Sequence, residues 1–225
     1  MSKTYEEKCK ERCYFLSKQM IYANQTYSVL MQIRDLIENH NEIANVSPTF
    51  YQTVIQNCIQ VLFIEISKMF DTDPSSESIR SLLDSMKKNL PQLNRSSTIE
   101  VCMFERIFDT KSYSIEFQNI EELIEKSINM IESYEKESHN VKKQRDKYYV
   151  HYDRQTTIDI ILQNYNVSYF EIGELLTLNT NLCNALYMYF FNRTVSPLFV
   201  DSDDFIRTLK ILEEIRNSNN EFVDS

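Results

Sequence analysis

A chain of 225 residues with 42% hydrophobic content is long enough to bury a core unaided and too apolar to be disordered. It holds one glycine, Gly173, and four prolines, which excludes folds that lean on glycine at positive φ, such as Gly-rich phosphate loops, Rossmann turns and serial tight hairpins. A net charge of -9 excludes a general nucleic-acid coat, whose field must attract phosphate, and leaves room only for a local basic site.

Long helices joined by Asn, Ser and Asp turns are the expected outcome. Apolar residues at three- and four-residue steps (Phe15, Ile21 or Tyr22, Val29, Ile33, Leu36 or Ile37, Ile43) predict a helix over 4–43. "NVSPTF" (45–50) ends it, with Ser47 as cap and Pro48 at the first position of the next helix. That helix, 50–70, is the most apolar segment and is expected at the centre. "DTDPSS" (71–76) stops it, Ser76 caps a short helix over 77–90, and Pro91 ends that one. "STIEVCMFERIF" (97–108) reads as a short helix, and its β-branched residues leave a strand open. Ile120, Leu123, Ile124, Ile128, Ile131 and Tyr134 then line one face of an amphipathic helix that continues through 142–153. "NYNVS" (164–168) is a turn before a helix over 168–192. "RTVSP" (193–197) breaks that helix, and Asp203 caps a last one within 201–218. Residues 219–225 are expected to fray.

The five cysteines (Cys9, Cys13, Cys58, Cys102, Cys183) are odd in number and scattered, which predicts reduced thiols in a cytoplasmic protein and no zinc site. No apolar run approaches the roughly eighteen residues of a membrane span.

Two of the three histidines share one pattern: Arg, Asp, four residues, His. It occurs in "RDLIENH" (34–40) and in "RDKYYVH" (145–151). These residue types suit metal-free RNA cleavage. A neutral imidazole can take the 2′-OH proton, or a protonated one can serve the leaving oxygen. A guanidinium can grip and steady the phosphorane, and the Asp can orient either. On a regular helix, however, six positions at about 100° put Arg and His about 240° apart round the axis and about 9 Å apart along it. The site therefore needs a distorted helix or two copies of the chain. Local charge separates the two stretches. Residues 31–44 carry Arg34 against Asp35, Glu38 and Glu42, a net -2, so Arg34 and Asp35 read as a solvated face and His40 as a helix end. Residues 141–154 carry Lys142, Lys143, Arg145, Lys147 and Arg154 against Asp146 and Asp153, a net +3, with Tyr148, Tyr149 and Tyr152 interleaved. Cations beside aromatic faces suit RNA, and they equally suit a basic helix end whose tyrosines pack into the core.

"QRDKYYVHYDR" (144–154) resembles the signature of the HEPN superfamily (higher eukaryotes and prokaryotes nucleotide-binding), in the branch associated with abortive-infection protein U. That signature runs Arg-Asp-Lys, a hydrophobic stretch, Ala-His, one residue and Asp. Arg145, Asp146, Lys147, His151 and Asp153 fall in place, and Val150 stands where a small residue is usual. "CIQVLFIEISKMFDTDPSSESIRSLLDSM" (58–86) resembles the family's apolar helix ending in Leu-x-Arg-Leu-x-Asp, with Lys68 at the Arg position and Asp71 at the Asp.

The resemblance implies an all-α, HEPN-like bundle of long antiparallel helices forming a single domain over 1–225, with its core at about 4–192. It implies a homodimer through the motif-bearing helix, with a composite catalytic site of Arg145, Asp146 and His151, Asp153 in support and no cofactor. RNA is then the substrate, contacted by Lys142, Lys143, Lys147, Tyr148 and Arg154. The protein would be a toxin or phage-defence effector, with an antitoxin or defence-system partner and no membrane role. The alternatives are a non-catalytic interaction module and an RNA or nucleotide sensor.

Overall fold

The computed structural model describes residues 3–39, 45, 47–94, 98–106, 111–150, 158–195, 207 and 211, excepting the side chains of 148–150, 158 and 159. The long first helix, α1 (Tyr5–Asn39), is followed by α2 (Pro48–Met69). The link between them is short, so they are antiparallel neighbours. Pro48 opens α2 as expected, but the Ser47 side chain makes no capping bond. The next helix, α3 (Ile79–Lys88), is capped by Ser78 rather than Ser76. The Ser78 side chain accepts from the Ser81 amide, and Ser81 answers the Ser78 amide, a reciprocal box.

Residues 99–104 form a strand, not a helix. β1 (Ile99–Phe104) pairs antiparallel with β2 (Ser112–Phe117), in a register from Ile99 opposite Phe117 to Phe104 opposite Ser112. Ile99, Val101 and Met103 alternate inward, a period of two that only a strand can bury on one side. The fold stays mostly helical, with this hairpin added. After it come α4 (Ile120–Ser133), α5 (Glu135–Gln144), a π-helical stretch (Arg145–Val150), α6 (Ile158–Asn164) and α7 (Tyr169–Phe191). The amphipathic face of α4 is buried at Ile120, Leu123, Ile124, Ile128 and Ile131, as its spacing predicts. Arg207 and Ile211 are helical. The rest of the last helix with its Asp203 cap, and the terminal segment, lie outside the described residues, as does Ile43.

The central element is α7, not α2. From Leu175 to Leu186 every residue of α7 is buried, polar ones included. Asn179, Thr180, Asn181 and Asn184 lie within this buried run. Thr180, Asn181 and Asn184 find protein partners instead of water. Thr180 accepts from Asn24 of α1 (2.9 Å). Asn181 takes both backbone groups of Phe104, accepting its N–H (2.9 Å) and donating to its carbonyl (2.8 Å), and so docks the end of β1 on the helix. Asn184 accepts from the Val195 amide (2.8 Å). The Asn24 carbonyl oxygen and the Asn179 amide nitrogen are buried without a partner.

The seam on α1 holds its expected place at Ile33 and Leu36, and is displaced by one residue over its first half. Phe15 and Tyr22 face solvent, while Cys9, Cys13, Leu16, Met20, Ala23, Tyr27 and Leu30 face the core. Gly173 explains its own identity here. A Cβ at 173 would meet the Tyr27 hydroxyl at 2.8 Å, and that hydroxyl donates to the Tyr169 carbonyl (2.9 Å). The glycine permits close approach of α1 and α7 rather than a turn. At the far end of α7, Asn192 caps with φ 50°, a left-handed conformation Asn tolerates.

Candidate functional site

The motif-bearing chain runs from α5 into the π stretch without a loop. α5 is anchored at its C-terminal end. Val141 and Gln144 are buried, and the Gln144 side-chain amide donates to the Tyr165 carbonyl beyond α6. At Arg145 the backbone passes into π geometry. Bonding from i to i+5 puts about one more residue in each turn than an α-helix has, and single π turns recur at functional sites. A distorted helix is one of the two arrangements open to the Arg-to-His spacing; the π stretch runs to Val150, and His151 lies outside the described residues.

Arg145 is mostly buried, at 18% side-chain exposure, and its Nε and Nη2 both donate to Oδ1 of Asp146 (2.8 and 2.6 Å). Asp146, which by residue type could orient either the Arg or the His, here contacts Arg145 and fixes the direction of its guanidinium. The first Arg-Asp stretch behaves differently. Arg34 ignores Asp35, pairs with Glu38 (3.0 Å) one turn on, and lies over the Tyr169 ring (4.1 Å). Asp35 accepts instead from Asn39 (2.7 Å). His40, the third member of that stretch, lies outside the described residues. So do His151, Asp153, Arg154 and the side chain of Tyr148.

Three further cations of the motif helix were expected to meet RNA. Lys142, two residues ahead of the 144–154 block, pairs with Asp71 of the second block (3.2 Å). Asp71 closes the end of α2 and also accepts from the Asp73 amide (3.2 Å). Asp73 in turn accepts from the Ser75 backbone and hydroxyl, which hold its carboxyl below the usual carboxylate range, with Lys142 adding to the effect. Lys147 sits over the Tyr165 ring at 5.4 Å. Lys143 lines a cleft of about 320 Å³ between the end of α2 and α5, together with Phe70, Ser138, His139, Lys142 and Asp146.

Two residues of this region escaped the sequence reading. His139, the histidine outside both patterns, stands in the cleft with its ring 6.4 Å from that of Tyr165. Tyr165 collects three contacts of the motif helix, from Gln144, Lys147 and His139. The signal for His139 was its place at steps of three, four and seven from Lys142, Lys143 and Asp146. Tyr165 gave no signal, since it reaches the site across a turn. Among the described residues no three His, Cys, Asp or Glu side chains gather as a metal set, and no helix is long and apolar enough to cross a membrane.

Residues 6–208 match the family model HEPN_AbiU2, described as AbiU2. No curated protein and no solved structure matches the chain.

Proposed function

This chain belongs to the HEPN_AbiU2 family, and from that membership we propose that it is a metal-independent endoribonuclease serving abortive infection or a toxin role. The observation that carries the reading is the Arg145–Asp146 pair at the π turn. A guanidinium that is largely withdrawn from water, and aimed by a carboxylate, is organised before substrate arrives. Its two bonds end on one oxygen of Asp146, a geometry that a phosphate accepting two parallel bonds can displace or share.

In the proposed reaction the ribose 2′-OH attacks the adjacent phosphorus, forming a new P–O bond while the 5′-oxygen leaves. His151 takes the 2′-OH proton or returns one to the leaving oxygen, and Arg145 balances charge on the phosphorane. The products are a 2′,3′-cyclic phosphate and a 5′-hydroxyl. Two copies pairing their motif helices round a two-fold axis would set Arg145 of one near His151 of the other, which answers the spacing problem of a single helix.

The test is expression toxicity and cleavage of purified RNA. Arg145→Ala and His151→Ala abolish both, His40→Ala changes neither, and EDTA has no effect. Cleavage that survives both motif substitutions in clean protein refutes the reading. One observation favours a non-catalytic interaction module instead. Lys142 and Lys147 already have partners within the chain, in Asp71 and Tyr165. An intact dimer that cleaves no RNA, with a phenotype indifferent to His151, would establish that alternative.

A further inference from the structure

We infer that the cleft between the end of α2 and α5 is a binding subsite for one nucleotide of the RNA strand, next to the reacting phosphate. The inference rests on the nuclease reading for its substrate class, and on the cleft for everything else. Ser138, His139, Lys142, Lys143 and Asp146 all line the cleft. They recur at steps of one, three and four, so they form one continuous strip along α5 and into the π turn. That strip ends on Asp146, the carboxylate that holds Arg145. Whatever occupies the cleft therefore lies beside the motif arginine.

The lining suits a nucleotide better than a bare anion. Lys143 supplies an ammonium for a phosphate. Lys142 supplies another, since a lysine has three donors and Asp71 takes one. The His139 ring offers a donor or an acceptor to a base edge, the Ser138 hydroxyl, which donates to the Glu135 carbonyl (3.1 Å), offers an acceptor, and Phe70 provides an apolar floor. His139 to Asp146 spans seven residues, about 10 Å along the axis. Neighbouring nucleotides in a stacked strand are about 3.4 Å apart, so a nucleotide beside the reacting one fits within that length. The volume of about 320 Å³ lies at the small end of ligand sites, as one nucleotide requires.

The experiment measures binding separately from cleavage. Fluorescence anisotropy with a short, mixed-sequence 2′-O-methyl oligonucleotide, which has no attacking hydroxyl, gives affinity as a function of salt. His139→Ala is expected to weaken binding several-fold with the salt slope unchanged. Lys143→Ala is expected to weaken it and to reduce the slope by about one. Lys126→Ala, a surface cation of α4 paired with Glu122, is expected to change neither. With cleavable RNA both cleft variants raise KM and leave kcat near wild type. If both bind like wild type while Arg145→Ala abolishes cleavage, the subsite is refuted and the nuclease stands. If both weaken binding while Arg145→Ala cleaves like wild type, the subsite stands and the nuclease reading fails. Wild-type protein that does not bind the oligonucleotide refutes the subsite outright.

Discussion

Replacing Gly173 by alanine sets two effects of opposite sign against each other, and the structure decides between them. In a helix interior, alanine is favoured over glycine by about 1 kcal/mol. Position 173 lies in the second turn of α7, so that gain applies. Against it, the new Cβ would stand 2.8 Å from the Tyr27 hydroxyl oxygen and 3.3 Å from its Cζ, where ordinary contact begins at 3.4 Å. Tyr27 is 6% exposed and cannot swing into solvent. Forcing a methyl into such a place costs about 1–3 kcal/mol. Pulling the hydroxyl off the Tyr169 carbonyl costs about 1 kcal/mol more. The expected net effect is a loss of about 1–3 kcal/mol. In a Tyr27→Phe background the hydroxyl is gone, and the same Gly173→Ala change is expected to become neutral or stabilising by up to about 1 kcal/mol. The sign reversal is the prediction. Urea unfolding of the four proteins, followed by far-ultraviolet circular dichroism, gives the coupling energy directly. If Gly173→Ala stabilises the wild type as much as it stabilises Tyr27→Phe, close approach is not why glycine stands there.

Asn181→Ala leaves both backbone groups of Phe104 without their side-chain partner; a loss of about 2–3 kcal/mol is expected in urea unfolding, and a loss under about 0.5 kcal/mol would mean that β1 does not depend on this docking. Cys102 is exposed, while Cys9, Cys13, Cys58 and Cys183 are buried, with burial raising all four thiols, Cys183 up to about 12. A thiol reagent on native protein should therefore label one cysteine quickly, and Cys102→Ser should remove that fast phase. Burial pushes the Tyr189 phenol up to about 12, and raises Tyr5, Tyr27 and Tyr134 as well. The folded state thus holds protons that the unfolded chain releases near pH 10. The linked stability is complete below about pH 10 and falls as pH rises towards 12. Denaturant midpoints at stepped pH check this, and Tyr189→Phe should flatten the decline.

The helical class, most boundaries and the buried face of α4 were legible in the sequence, because each rests on local rules. Glycine scarcity, three- and four-residue apolar steps and capping residues all act within one or two turns. The family was legible too, from resemblance. Errors arose where a choice depended on partners far along the chain. Phe15 is the larger hydrophobe, yet Leu16 is inside, since the seam of α1 is set by small and polarisable residues (Cys9, Cys13, Ala23) that let α7 approach. Residues 99–104 are a strand because a second strand and α7 were available to receive them.

The same division holds for the site. Sequence alone determined that Arg145, Asp146 and His151 lie on one basic segment of an acidic chain. Only tertiary structure decided that Arg145 takes Asp146 while Arg34 leaves Asp35 for Glu38. It also placed Asp71 against Lys142 and brought Tyr165 to His139 and Lys147 of the motif helix. The reason is range. Helix formation and charge are properties of neighbours in the chain. Ion-pair choice, ring contacts and clefts are properties of neighbours in space, between residues as far apart here as 71 and 142.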